Sequence, residues 1–303
     1  MSHAQGSYYL PAPSYWPVVG SVGITLLLGG FASFLHGGSN IYMIAGAVVL
    51  AIMMFGWFGQ VISESVAGKY NAQVDTSFRM GMIWFIFSEV MFFAAFFGAL
   101  FYARQFSVPW IDGMGNNAMT GELLWPNFTA DWPLLNNPDA DKYPSPSGVI
   151  ETWHVPFYNT LILLSSGVTV TFAHWALKKE NRGGLILWLA ATVALGALFV
   201  FFQIEEYGEA YNELNLKLSS GIYGSTFFML TGFHGLHVTI GAIMLFVMTL
   251  RAMKGHFTPK NHFAFEAAAW YWHFVDVVWL GPVSYTHLTL PTSCVQCRCR
   301  WGR

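Results

Sequence analysis

Charge is what this chain has least of: Lys, Arg, Asp and Glu together make up 10% of its 303 residues, against roughly 25% in an average soluble domain. That shortfall excludes an ordinary water-soluble domain. Cysteine is also scarce, with three in all, at Cys294, Cys297 and Cys299. Residues 1–293 therefore hold no disulfide framework and no thiolate site for zinc or iron–sulfur. The 14 Lys and Arg gather in no connection densely enough to neutralise a run of phosphates, which excludes nucleic acid as a partner. No Lys or Arg precedes the first apolar run, so residues 1–14 lack the basic flank of a secretory signal peptide, and that run is expected to be a retained helix. No internal repeat is evident, and no inverted pair of Gly/Pro-broken segments marks a transporter core.

What is present is apolar: 54% of the residues are hydrophobic and 17% aromatic. Seven apolar segments can be drawn, at 15–35, 41–62, 78–101, 157–177, 185–204, 221–250 and 263–280, each near or above the roughly 20 residues that span hydrocarbon as a helix. A closed β-barrel is the only other spanning solution, and it shows short alternating segments instead of continuous runs. The expected fold class is an all-α integral membrane protein with seven transmembrane helices. The basic residues sort by side. Alternate connections hold Lys69 and Arg79, then Lys178, Lys179 and Arg182, then Arg251, Lys254 and Lys260, while the intervening ones hold only Arg104, Lys142 and Lys217. This positive-inside pattern puts the N-terminus on the cytoplasmic or mitochondrial matrix side. The opposite face is acidic, and it carries a Pro-, Gly-, Asn- and Asp-rich segment, 107–156, too long for a passive turn. That segment is read as a solvated loop or as a surface packed on a neighbouring subunit, to which Trp110, Trp125, Trp132 and Trp153 would contribute.

Polar groups inside the apolar runs carry the functional signal. An ionisable group near the bilayer centre costs about 2.5–3.5 kcal/mol even on lenient insertion scales, so each must face protein, find a partner or stay neutral. Glu89 lies about eleven residues into the third run, near the midplane at about 1.5 Å per residue. It is read either as a proton-relay group or as a neutral acid hydrogen-bonded for packing. His234 and His237 on the sixth run, and His273 and Asp276 on the seventh, each sit i,i+3 on one helix face. Four His/Asp groups on neighbouring helices invite a metal. The carboxylates are too few for a typical helical metal site, and the expectation is that these residues lock the sixth helix to the seventh. Glu266 is expected to be paired or neutral near the inner end of the seventh.

Several motifs resemble a known family. Pro13-Ser14-Tyr15-Trp16-Pro17, Val61-Ile62-Ser63-Glu64-Ser65, Arg79-Met80-Gly81-Met82 and Ser88-Glu89-Val90-Met91-Phe92-Phe93 mark the first three runs. Pro156-Phe157-Tyr158-Asn159-Thr160, Ser166-Gly167-Val168-Thr169 and Gln203-Ile204-Glu205-Glu206-Tyr207 mark the next two. Gly224-Ser225-Thr226-Phe227-Phe228, Gly232-Phe233-His234-Gly235-Leu236-His237 and the run from Phe263 to Leu280 complete them. In order and over most of the chain, from about residue 8 to 280, these resemble cytochrome c oxidase subunit III.

The resemblance implies a seven-helix fold in which the first two helices (within 1–66) splay from a five-helix bundle (67–280), leaving a lipid-filled cleft. It implies the intramembrane carboxyl at Glu89 that reacts with hydrophobic carbodiimides, and no catalytic or metal-binding residue in this chain. Haem and copper are expected in subunits I and II, its partners in a membrane-embedded hetero-oligomer. Trp57, Glu64 and Arg251 are expected to hold phospholipid at the border of the cleft. The implied function is that of a non-redox subunit supporting dioxygen reduction and proton pumping in an aa3-type cytochrome c oxidase. The setting is a bacterial inner (plasma) membrane or, alternatively, a mitochondrial inner membrane. A quinol oxidase subunit III typically lacks the first two helices, and a free-standing transporter needs a polar path through the bundle, so both alternatives rank below it. Residues 281–303 match nothing in the family pattern, hold every cysteine, and are expected not to be native sequence.

Overall fold

The computed structural model describes residue 9, residues 12–151 and residues 153–282. Among them every regular element is helical: α1 (Trp16–Leu35), α2 (Ile41–Val66), α3 (Ala72–Tyr102), α4 (Val108–Ile111), α5 (Val155–Lys178), α6 (Arg182–Asn212), α7 (Gly221–Met253) and α8 (Phe263–Pro282). A π-helical turn (Ala103–Ser107) carries α3 into α4, and a second lies at Thr120–Leu124.

The helix ends follow from local sequence. Pro17 and Pro156 open α1 and α5, where a missing N–H costs nothing. Asn181 caps α6, its side chain accepting from the Gly184 N–H at 3.0 Å. At the end of α2, Gly68 takes a left-handed φ of 69°, and the Gly68 and Lys69 amides return to the Ser65 and Glu64 carbonyls. Gly255 ends α7 in the same way, its amide and that of His256 bonding the Ala252 and Arg251 carbonyls.

Among the described residues, six helices are long and apolar enough to cross a membrane: α1, α2, the continuous stretch Ala72–Ile111, α5, α6 and α7. At 20 residues α8 has the length, but Glu266, His273 and Asp276 lower its hydropathy and it is not among the six. Apolarity therefore marks six of the seven expected crossings. The last helix, α8, packs against α7 and α5.

The chain divides into two compact units after Gly81, inside α3 and not in the turn preceding it. In the first unit α1 and α2 meet through glycines. A Cβ built on Gly30 would overlap the Met43 backbone, and one on Gly46 the Leu27 backbone, the close approach that small residues permit between membrane helices.

In the second unit the core is aromatic, with Trp272, Trp279, Phe93 and Phe199 among its largest fully buried side chains. Trp272 lies between α6 and α7 in space that two glycines leave open: a Cβ on Gly196 or Gly241 would come within 2.6 or 2.8 Å of its ring. The Trp272 indole donates to Ser166 Oγ on α5 at 2.9 Å.

A smaller core gathers Val108, Leu134, Ile150, Ala210, Leu216, Tyr223 and Phe227. The segment 107–156 is thus neither a loop solvated throughout nor a surface wholly reserved for a neighbour. Trp132 meets Tyr223 edge-to-face at 5.6 Å, Asn137 Nδ2 donates to the Ser220 carbonyl at 3.2 Å, and the Ser147 amide to that of Leu214 at 2.8 Å. Trp153 stays exposed.

Candidate functional site: acid and histidine pairs on the helices

Four polar groupings sit on the helices of the second unit. The first joins α3 to α7. Glu89 Oε2 is 2.9 Å from His237 Nε2, and His237 Nδ1 is 2.6 Å from the Phe233 carbonyl. A carbonyl only accepts, so the proton on that side belongs to Nδ1, and Nε2 faces the carboxyl with either a lone pair or a second proton. The Glu89–His237 contact is therefore closed by one proton lying between Oε2 and Nε2, and both arrangements are neutral overall. Phe93 and Phe92 flank the imidazole with ring centroids at 5.0 and 5.8 Å, and Tyr271 stacks on it at 6.3 Å.

The second grouping joins α7 to α8. Fully buried His234 donates from Nε2 to the Val275 carbonyl at 3.1 Å, against Trp279 at 4.8 Å. The third lies within α8, where His273 Nδ1 is 3.6 Å from Asp276 Oδ2. Asp276 is buried beside α5, where Gly167 makes room for it, whereas the His273 side chain is 46% exposed. In the fourth, Glu266 Oε1 at the start of α8 is 3.2 Å from His262 Nε2 and 3.5 Å from His174 Nε2 on α5.

This sorting corrects the expectation that His234, His237, His273 and Asp276 all join the sixth apolar segment to the seventh. His234 does so. His237 reaches back to Glu89 on α3, because its ring points along the helix face that meets Phe92 and Phe93. Glu266 pairs with two histidines, one on α5 and one in the connection before α8, while His273 and Asp276 approach each other. His234, His237, His273 and Asp276 do not converge as a metal ligand set. Sequence reasoning missed His174 and His262, although the spacing His262-x-x-x-Glu266 puts both on one face of the first turn of α8. It also quoted Gln203 without a role. Gln203 Nε2 donates to the Thr231 carbonyl at 2.8 Å and Tyr207 bonds the Thr231 hydroxyl at 2.7 Å, so α6 and α7 are tied by polar contacts too.

The remaining candidates separate. Trp57 and Glu64 line a cavity of about 770 Å³ within the first unit, together with Met53, Phe58, Tyr70 and Phe78. Glu64 accepts from Tyr70 Oη at 3.0 Å and from Gln60 Nε2 at 3.2 Å, and Gln60 in turn accepts from the Trp16 indole at 3.1 Å. Burial raises the Tyr70 phenol well above its usual value near 10, and the hydrogen bond to Glu64 adds to the rise. Arg251 belongs to the second unit and is buried, its guanidinium 4.7 Å from the Phe257 ring centre. It is not open on the surface as a snorkelling lipid anchor would be.

Residues 6–116 and 123–286 match the family described as Cytochrome c oxidase subunit III. The match passes six residues beyond the 280 boundary read from the sequence, and α8 likewise continues to Pro282. The rest of the segment 281–303 lies outside the described residues. The chain is 40% identical over 283 residues to the cytochrome c oxidase subunit 3 of Dugong dugon, covering 92% of this chain and 96% of that protein. It is 39% identical over 283 residues to that of Equus caballus, with the same coverage. To that of Petromyzon marinus it is 40% identical over 281 residues, again 92% and 96% of the two chains. With the family match spanning nearly all of it, the chain belongs to the cytochrome c oxidase subunit III family.

Proposed function

We propose that this chain is the non-redox third subunit of an aa3-type cytochrome c oxidase. It braces subunit I, retains phospholipid, and so prolongs proton-coupled dioxygen reduction whose haem and copper are held by subunits I and II. The observation that carries the reading is the family match along 92% of the chain to relatives that bear this subunit's name. The polar groups on the helices support it. His234 and His237 each spend a ring nitrogen on a carbonyl or an acid of this chain. Such groups hold helices of this chain together.

The same reading assigns seven crossings, with α8 the seventh. The N-terminus then faces the cytoplasm of a bacterium or the matrix of a mitochondrion, in the inner membrane. The cavity beside Trp57 and Glu64 is assigned to phospholipid, its apolar lining meeting an acyl chain and the Glu64–Tyr70–Gln60 cluster a polar head group.

The test is to purify the complex through a tag on this chain and then strip the chain from it. Haem- and copper-bearing subunits should copurify, and the stripped complex should start at a near-normal rate but inactivate sooner during turnover. Recovery of the chain without such subunits, or an immediate loss of all oxygen uptake on stripping, would overturn the assignment.

A further inference from the structure

His174, His262 and Glu266 bring three ligand atoms together from the last turns of α5, the α7–α8 connection and the first turn of α8. Their separations are 3.2 Å (His262 Nε2 to Glu266 Oε1), 3.4 Å (His174 Nε2 to His262 Nε2) and 3.5 Å (His174 Nε2 to Glu266 Oε1). With zinc–ligand bonds of about 2.0–2.2 Å, the corners of a tetrahedron stand about 3.3–3.6 Å apart, whereas adjacent corners of an octahedron stand only about 3.0 Å apart. At 3.2–3.5 Å the trio lies closer to tetrahedral than to octahedral spacing. The two-histidine, one-carboxylate triad of non-haem iron is octahedral, so its ligand atoms would lie closer than these.

The tautomer agrees with that geometry. His262 Nδ1 is 3.0 Å from the Thr258 carbonyl, which must accept, so a proton sits on Nδ1 and leaves Nε2, aimed at the other two ligand atoms, as the nitrogen that can offer a lone pair. An imidazole N–H given to a backbone carbonyl is the usual outer support of a metal-bound histidine. The backbone fixes the rest, since the Phe265 and Glu266 amides bond the His262 carbonyl at 2.9 and 3.1 Å and set His262 and Glu266 on one face. Phe265 covers one side of the His174 ring at 5.5 Å.

We propose that His174, His262 and Glu266 form a tetrahedral site for a redox-inert divalent cation of the zinc class. Water is the fourth ligand, and the ion pins the end of α5 to the start of α8. The proposal stands whether or not the assignment to an aa3-type oxidase does. The site's position at helix ends, with a quarter of the His174 side chain exposed, gives an aqueous ion a way in.

The test uses the full chain in detergent, stripped with chelator and titrated with Zn²⁺ and, as a visible reporter, Co²⁺. One Co²⁺ per chain should bind with the intense visible bands of tetrahedral cobalt, and Zn²⁺ should displace it. His174→Gln, His262→Ala and Glu266→Gln should each lower affinity by more than the roughly 10–100-fold that loss of an outer-shell partner costs. His154→Ala, at the opposite end of α5, should leave binding unchanged. Helical circular dichroism identifies any variant that fails to fold, and the others then decide. Absence of the tetrahedral bands in the wild type, or their persistence in two folded ligand variants, would overturn the proposal and leave a shared proton as what joins the three groups.

Discussion

Replacing His237 by Phe keeps a ring between Phe93 and Tyr271 but deletes both nitrogens, and with them the partner 2.9 Å from Glu89 Oε2. The Phe233 carbonyl loses little, because it is still within its own helix. Glu89, whose side chain is 21% exposed, is left facing an aromatic wall, and an unsatisfied polar group in such a place costs about 1–3 kcal/mol. Glu89→Gln is a different perturbation: the amide retains a donor that can reach Nε2, so its cost should stay under about 1 kcal/mol. The double variant Glu89→Leu with His237→Phe removes both polar partners and should recover part of the loss. The coupling should fall in the range of about 0.6–2 kcal/mol found for polar pairs between membrane helices. Reversible unfolding of the full chain in mixed micelles measures Glu89→Gln and the closed cycle of wild type, Glu89→Leu, His237→Phe and their double variant. Zero coupling in the cycle, or Glu89→Gln as costly as His237→Phe, would refute the idea that one shared proton closes a neutral contact between α3 and α7.

Tyr70→Phe should remove an alkaline dependence of stability. The Tyr70 phenol is raised in the folded chain by burial and by Glu64, so its contribution is full below the ordinary value near 10 and is lost as pH climbs above it; thermal melts of wild type and variant between pH 9 and 11 (about one unit either side of the ordinary tyrosine value) should diverge only at the top of that window. Gly241→Ala should destabilise by about 1–3 kcal/mol, because its Cβ would come within 2.8 Å of buried Trp272. Gly208→Ala on α6, with open space around it, should instead stabilise by up to about 1 kcal/mol, and micelle unfolding of the two variants should move in opposite directions. Trp57→Ala and Glu64→Gln should each lower the phospholipid that copurifies with the chain, read by mass spectrometry, and equal lipid content in wild type and both variants would remove the cavity from consideration.

Much of the helical architecture was legible because apolar runs and their breaks are local signals. Six runs recur as helices long and apolar enough to cross a membrane, and Gly37, Gly68 and Gly255 stop three of them in left-handed turns. Two features escaped for opposite reasons. The third helix begins at Ala72, not near 78, because its first turns are polar and hydropathy does not register them. The segment 107–156 reads as a polar loop by composition, yet Leu134, Ile150 and Trp132 are spaced irregularly along it and pack only once α6 and α7 supply Leu216, Tyr223 and Phe227. A periodicity search cannot find a core whose two halves lie so far apart in the chain.

The site was half legible, and the division is physical. The need for partners was evident from a single helix, since Glu89, Glu266 and Asp276 sit in apolar runs where lipid penalises them. The identity of each partner was not, because it depends on rotation about helix axes. His234 and His237 are three residues apart and share a face in the sequence reading, yet one donates to α8 and the other meets α3. A turn of about 100° per residue puts them some 60° apart around the axis, enough to address different neighbours in a bundle where each helix touches several. The same angular reasoning, applied to residues four apart, brings His262 and Glu266 to within about 40° of each other. That pair was open to discovery from the sequence. His174, on another helix, was not, because only packing brings α5 and α8 together, and Gly167 beside Asp276 marks one point of their contact.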